Sequence, residues 1–363
     1  RFCKVIAPTF GGINLEDIAS PKCFDILSEL QQTLPIPVWH DDQQGTALVV
    51  IAGMINAAKF VNKRFDTLKI SLIGSGAANV ALVRLLAKAG VDINNIVVVD
   101  SHGIINLNRE DLKNNPVKWN IAQTTNKSQI AGGIKESLQD VDACIALSKP
   151  GPGVIEGSWI KEMSDSPIVF ACANPVPEIW PWDAKNAGAA IVATGRSDFP
   201  NQVNNSLGFP GLFRGALDVR AKTINEEMKV AAVNAIASLA KENVPDEVAA
   251  AMGGGERPKY GKEYIIPSTF DPRLISVIPI AVAKAAIKSG VARKKIKDFE
   301  IYKEQLKQRL DPSVAILQGI NSQIKKTQKK VVFADGEDEN TLKAAIAFKN
   351  SGLGTPILVA KEE

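Results

Sequence analysis

The chain has 363 residues, enough for two domains or a little more, with the 45% hydrophobic and 23% charged content of a soluble globular protein. No run of about 18 apolar residues occurs, so no helical membrane span is expected. The opening Arg1-Phe2-Cys3-Lys4 is not a secretory signal, and the lack of an initiator Met suggests a segment of a larger protein.

Cys3, Cys23, Cys144 and Cys172 have no C-x-x-C spacing, which argues against zinc and disulfides and for a reducing, cytoplasmic compartment. Cys144 and Cys172 lie in apolar runs and read as inert core residues. The net charge of +4 is uneven: residues 291–330 hold eleven Lys or Arg against four Asp or Glu, so the rest carries about −3. No aromatic interleaving or binding motif accompanies that excess, which makes it a solvated connector and not a nucleic-acid face.

In chain order, Val5-Ile6-Ala7 reads as a strand end feeding Gly11-Gly12. Glu16 and Asp17 follow. Ser20-Pro21 predicts a helix start, with Ser as N-cap and Pro in the first position. Phe24, Leu27 and Leu30 give its buried stripe. Ile36 to Trp39 is a short strand that ends at Asp41-Asp42, and Gly45-Thr46 opens a buried apolar helix to about Lys59. Carboxylates converging from two loops suit a hard divalent cation, Mg²⁺ or Mn²⁺. The same acids also fit a helix cap and a solvated loop.

Lys69 to Ile73 is the next strand. Gly74-Ser75-Gly76-Ala77-Ala78 and a helix ending at Gly90 follow, then the strand Ile96 to Asp100, with its acid 26 positions after Gly74. Glycines at a strand–helix turn admit a pyrophosphate at the helix N-terminus, and the acid suits a ribose hydroxyl. Asn79 stands where the usual third glycine would be. Residues 101–133 read as a polar surface excursion with one short helix. Strands at Asp142–Leu147, Pro167–Cys172 and Ala189–Ala193, with a helix over Ile155–Met163, complete an alternating pattern. It predicts a doubly wound parallel sheet with ligands beyond the strand C-termini. The Gly-x-Gly turn, Asp100, Ser148, Asn174 and Gly195 fall at such ends. Helices are expected over Asn225–Lys241 and from Asp271 to Ser289, and Met252-Gly253-Gly254-Gly255 as a flexible tip.

Phe10-Gly11-Gly12-Ile13-Asn14-Leu15-Glu16-Asp17 and His40-Asp41-Asp42-Gln43-Gln44-Gly45-Thr46 resemble the two metal-binding signatures of malic enzymes, in the bacterial type fused to a phosphate acetyltransferase-like domain. Lys330-Val331-Val332-Phe333-Ala334-Asp335-Gly336-Glu337-Asp338 resembles the start of that second domain. The resemblance implies an α/β fold: a doubly wound Rossmann-type parallel sheet preceded by the C-terminal part of an α/β malic N-domain. Residues 1–62 would carry the metal motifs and 63–290 the NAD(P)-binding domain. Residues 291–329 would be a basic helical linker and 330–363 a truncated acetyltransferase-like start.

By the same resemblance Glu16, Asp17 and Asp42 are the metal ligands, and Asp41 supports a catalytic lysine. Gly74, Ser75, Gly76, Ala77, Ala78 and Asp100 hold the coenzyme. Asn174 touches substrate and nicotinamide, Asn205 touches the substrate carboxylate, and Arg214 is a structural ion-pair partner. The implied activity is oxidative decarboxylation of L-malate to pyruvate and CO₂ by a cytoplasmic homo-oligomer using NADP⁺ (or NAD⁺) and Mg²⁺ or Mn²⁺. Acetyl-CoA would regulate it through the complete C-terminal domain. Asp100 argues for NAD⁺ by the ribose rule, but relatives of the fused type carry an acid there and prefer NADP⁺, and Ser101-His102 offer room for a phosphate, which tilts the choice to NADP⁺. The family's lysine base and tyrosine acid lie upstream of the metal motif and have no match in the first fifteen residues. This chain alone is therefore expected to turn over weakly or not at all. Two other readings stay open: a metal-independent 2-hydroxy-acid or amino-acid dehydrogenase, and a non-catalytic acetyl-CoA-sensing module.

Overall fold

The computed structural model describes residues 1–246, 249, 257–309, 324, 327, 329–350 and 353–361. The expected tip at 252–255 and, within the basic connector, residues 310–323, 325, 326 and 328 lie outside them. The chain divides into two compact units, 1–299 and 300–363.

The first unit is built on a six-stranded sheet of order β5-β4-β3-β6-β7-β8. Its strands are β3 (Ile70–Ile73), β4 (Ile96–Asp100), β5 (Gly103–Ile104), β6 (Ala143–Ala146), β7 (Ile168–Ala171) and β8 (Ile191–Thr194). All neighbours run parallel except the short β5, which turns back on β4. The central strands are buried along their whole length, as a parallel sheet covered on both faces requires. The chain goes from β3 to β4 on one side and returns to β6 on the other. The switch point therefore opens between the ends of β3 and β6.

A smaller pair precedes this sheet. β1 (Ile13–Leu15) lies parallel to β2 (Val38–His40), with Ile13 opposite Val38 and Leu15 opposite His40. α1 (Phe2–Ile6) and α2 (Lys22–Thr33) flank it. Val5–Ala7, expected as a strand end, is helical instead. Three apolar residues carry no usable periodicity, and Val5 N–H bonds Arg1 O while Thr9 Oγ1 bonds Ile6 O. Ser20 does not cap α2. Pro21 stands just before the helix, and the first N–H groups of Cys23 and Phe24 find the carbonyls of Ala19 and Pro21. The stripe Phe24, Leu27 and Leu30 is buried as expected.

A π-helical turn over Asp41–Gly45 leads from β2 into α3 (Thr46–Phe60). α3 is buried on nearly every side, from Ala47 to Met54 and at Asn56–Ala58, which fits its unbroken apolar sequence. α4 (Ala77–Ala89) follows β3 and stops at Gly90 in a left-handed conformation. The polar stretch after β4 forms β5, a 3₁₀ turn and α5 (Pro116–Thr124), with Leu112, Ile121 and Ala122 buried beneath. α6 (Ile134–Ser137), α7 (Gly157–Ile160) and α8 (Pro181–Asn186) are short. The helix expected over 155–163 is regular only within α7. α9 (Phe209–Asp218), α10 (Glu226–Leu239) and α11 (Leu274–Lys288) close the unit. α11 starts later than expected, because Asp271 accepts the Arg273 N–H in a turn ahead of the helix.

The second unit contains most of α12 (Phe299–Lys307), β9 (Lys329–Phe333), α13 (Glu339–Asn350) and β10 (Gly354–Leu358), with β9 and β10 parallel. No helix among the described residues is long and apolar enough to cross a membrane.

Candidate active site

The β1–β2 pairing brings the two acidic motifs together. Leu15 lies opposite His40, so Glu16-Asp17 and Asp41-Asp42 leave the same end of one small sheet. The Asp17 N–H donates to Asp42 Oδ2 at 2.9 Å. Asp17 has φ +56°, a left-handed conformation that Asp tolerates better than most residues. Asn14 Nδ2 donates to Glu16 Oε2 at 3.2 Å. Glu16 and Asp17 are exposed and Asp42 is half-buried.

Asp41 is the buried member. Trp39 Nε1 donates to its Oδ1 at 3.3 Å and Asn205 Nδ2 to its Oδ2 at 2.5 Å. Burial raises its pKa to about 6, with the Glu16 and Asp42 charges adding to the rise against those two hydrogen bonds. His40 is fully buried and its pKa is lowered by that burial. Its Nδ1 lies 3.7 Å from Asp42 Oδ2, too far for a hydrogen bond.

Among the described residues, no three His, Cys, Asp or Glu side chains form a ready-made metal cluster. The donor chemistry still fits a hard divalent cation. Glu16, Asp17 and Asp42 offer only carboxylate oxygen, and the charges of Glu16 and Asp42 already strain the ionisation of Asp41. A cation held between them would relieve that repulsion.

The glycine turn lies at the switch point. Gly74 has φ +101°, and a Cβ there would meet the Leu147 carbonyl at 2.6 Å, so glycine is required twice over. A Cβ on Gly76 would meet only open space, which leaves room above the N-terminus of α4. Asn79, the departure from the usual fingerprint, is fully buried and ties helix to strand. Its Nδ2 donates to Ile73 O at 3.0 Å and Gly74 O at 2.8 Å.

Asp100 ends β4, and its carboxyl group is already engaged. Arg109 Nη1 lies at 2.7 Å, Lys118 Nζ at 2.6 Å and the His102 N–H at 2.9 Å. The side chain is 2% exposed. Burial opposes its charge, but the bonds from Arg109 and Lys118 outweigh it and lower the pKa to about 2. Neither cation is evident from sequence, since both sit in a stretch that reads as a surface excursion.

Asn174 is exposed at the end of β7, on the loop that Arg196 braces by donating from Nη1 to Pro175 O at 2.6 Å. Arg196 pairs with Asp198 at 2.8 Å. Arg214 pairs with Asp218 on α9. Sequence reasoning missed Glu178, a fully buried acid that bonds the loops after β6 and β7. Its only local signal is a single carboxylate within the apolar, proline-rich run Pro175–Pro181. Burial, with Glu178 adding to it, holds the Cys144 and Cys172 thiols well above their ordinary pKa, so neither is a nucleophile.

Residues 43–250 match the family described as malic enzyme, NAD binding domain, and residues 315–363 match phosphate acetyl/butaryl transferase. An NADP-dependent malic enzyme of Rhizobium meliloti (strain 1021) is 47% identical over 99% of this chain and 46% of its own length. An NAD-dependent malic enzyme of the same organism is 44% identical over 99% and 46%. The chain thus spans about half the length of these curated relatives. The crystal structure of malic enzyme from Pyrococcus horikoshii Ot3 superimposes with a TM-score of 0.78 at 48% identity, covering 89% of this chain and 71% of that one.

Proposed function

This chain belongs to the malic enzyme family, and from that premise we propose that it carries the metal and coenzyme sites of an enzyme converting L-malate to pyruvate and CO₂ with reduction of NAD(P)⁺. The observation that carries the reading is the meeting of two acidic motifs with the strand-end loops of a dinucleotide-type sheet through the Asp41–Asn205 bond. A metal-independent dehydrogenase would have no use for Glu16, Asp17 and Asp42 beside it.

In this reading Glu16, Asp17 and Asp42 hold Mg²⁺ or Mn²⁺, Gly74 to Ala78 hold the pyrophosphate, and Asn174 and Asn205 orient the substrate. Held by these residues, a cation would supply Lewis-acid polarisation and a dinucleotide would supply a hydride acceptor. Asn205 keeps its amide on Asp41, so the loop after β8 stays beside the carboxylates and substrate groups meet both at once. Asp41, held by Trp39 and Asn205, is placed to support an upstream lysine in the same reading.

Asp100 bears on coenzyme choice. With its oxygens engaged by Arg109 and Lys118, and Arg109 shared with Asp111, it offers the ribose end the part-exposed Lys118 ammonium and not a free acid. That supports NADP⁺, whose 2′-phosphate seeks such a partner. Homo-oligomerisation and acetyl-CoA control through a complete C-terminal domain belong to the same proposal.

The test is a Mn²⁺ titration of this chain followed by electron paramagnetic resonance, with Asp42→Ala alongside and L-malate-dependent NADPH formation assayed in parallel. One saturable site, absent from the variant, is expected, with weak turnover. A folded wild type with no saturable site would overturn the metal assignment. Malate oxidation unaffected by chelators would favour the metal-independent alternative.

A further inference from the structure

Glu178 is the most completely enclosed carboxyl group bordering the switch point, and no step above uses it. It is 0% exposed, and among the described residues no Lys, Arg or His forms an ion pair with it. One oxygen accepts from the Ser148 N–H at 2.8 Å and the Ser148 hydroxyl at 3.0 Å. The other accepts from the Ala173 N–H at 3.0 Å. The Glu178 carbonyl also accepts from Ile155 N–H at 3.2 Å.

Ser148 stands just after β6, and Ala173 just after β7 and immediately before Asn174. One carboxyl group therefore links two adjacent strand-end loops. The first of these adjoins Gly74, which stands against the Leu147 carbonyl. A buried carboxylate is costly unless its lone pairs are met. Here an acceptor with no donor of its own meets three donors. An amide in its place would turn an NH₂ toward one of the backbone N–H groups.

We infer that Glu178 is a positioning residue for the nicotinamide half of the coenzyme. It fixes the spacing between the Ser148 loop and the Ala173–Asn174 loop, so that Asn174 is presented in one place. The inference rests on the dinucleotide reading above and adds a residue to it. The adenine half meets this link only where Gly74 stands against the Leu147 carbonyl, and none of the Asp100 hydrogen bonds involves Glu178.

The experiment compares wild type, Glu178→Gln and Ser148→Ala for binding of NADP⁺ and of 2′-phospho-ADP-ribose, which lacks the nicotinamide, by titration calorimetry. Glu178→Gln is expected to weaken NADP⁺ by about ten-fold or more, the scale of one lost charge-assisted hydrogen bond. It should leave 2′-phospho-ADP-ribose within about two-fold, since that ligand uses none of these bonds. Ser148→Ala, which removes only the hydroxyl bond, should give a smaller loss in the same direction. Equal weakening of both ligands would reduce Glu178 to a general structural role and overturn the inference. Unchanged NADP⁺ affinity in a variant that still binds 2′-phospho-ADP-ribose would overturn it too. A wild type that binds neither ligand removes the dinucleotide reading itself, and the inference with it.

Discussion

Asn205 and Asp41, 164 residues apart in sequence, share a 2.5 Å hydrogen bond, and Gly45 stands against both. A Cβ on Gly45 would run into Asp41 Oδ1 and would reach 3.2 Å from the Asn205 Cβ. Gly45→Ala should therefore push the pair apart without touching any proposed ligand. A stability loss of about 1–3 kcal/mol is expected, the usual range for overpacking. Urea unfolding checks it, and an unchanged midpoint would show that the turn absorbs the methyl group.

Asn79 makes a separable prediction at the coenzyme turn. Asn79→Ala leaves the Ile73 and Gly74 carbonyls without its amide. Ile73 O keeps the Leu147 N–H, so the loss falls on Gly74 O, and on the order of 1 kcal/mol is expected, somewhat more than the gain in helix propensity returns. Thermal unfolding should register the loss. Asn79→Gly, the residue of the usual fingerprint, should not restore stability, because glycine has no donor.

Asp100 sets a pH dependence. Its folded pKa of about 2 lies below the ordinary carboxylate value, so the folded state favours its charged form. The stabilisation is fully present above about pH 4 and is lost as pH falls through about 2. Asp100→Asn should cost on the order of 2 kcal/mol at neutral pH. The gap between variant and wild type should narrow as the pH is lowered from 4 to 2. A gap that stays constant with pH would mean that the ion pairs contribute nothing through charge.

Coenzyme choice can be read at Lys118, whose side chain is one-quarter exposed and bonds Asp100 at 2.6 Å. Lys118→Ala should weaken NADP⁺ by about ten-fold and NAD⁺ much less, because only the former carries a 2′-phosphate. Raising the salt concentration should shrink the difference in the wild type. Equal effects on the two dinucleotides would leave the cations a purely structural role.

Where the chemistry of a short stretch suffices, the sequence anticipates the structure closely. Gly74 and Gly90 lie at the two turns where glycine is needed, and Ile96–Asp100 forms the buried strand its composition implies. The two acidic motifs lie side by side through the Asp17–Asp42 bond, although β1, which delivers the first, carries no strand signal in its three residues. Partners fixed by distant pairing are a different matter. Arg109 and Lys118 reach Asp100 from a stretch with little apolar periodicity, and Glu178 finds its donors only once β6 and β7 lie side by side. Val5–Ala7 failed for a local reason: three apolar residues fit a strand or a helix equally well.

α3 has a consequence for movement. It is enclosed from Ala47 to Met54, and the turn bearing Asp41 and Asp42 runs directly into it. Sliding or rotating that helix would disturb its whole close-packed surround, so this half of the carboxylate set is an anvil fixed to the sheet. Glu16 and Asp17 sit instead on an exposed strand end joined to Asp42 by one backbone hydrogen bond. The β1–β2 ladder ties Ile13–Leu15 to the strand that enters the Asp41–Gly45 turn, so only the exposed side chains of Glu16 and Asp17, past the end of that ladder, are left free to adjust.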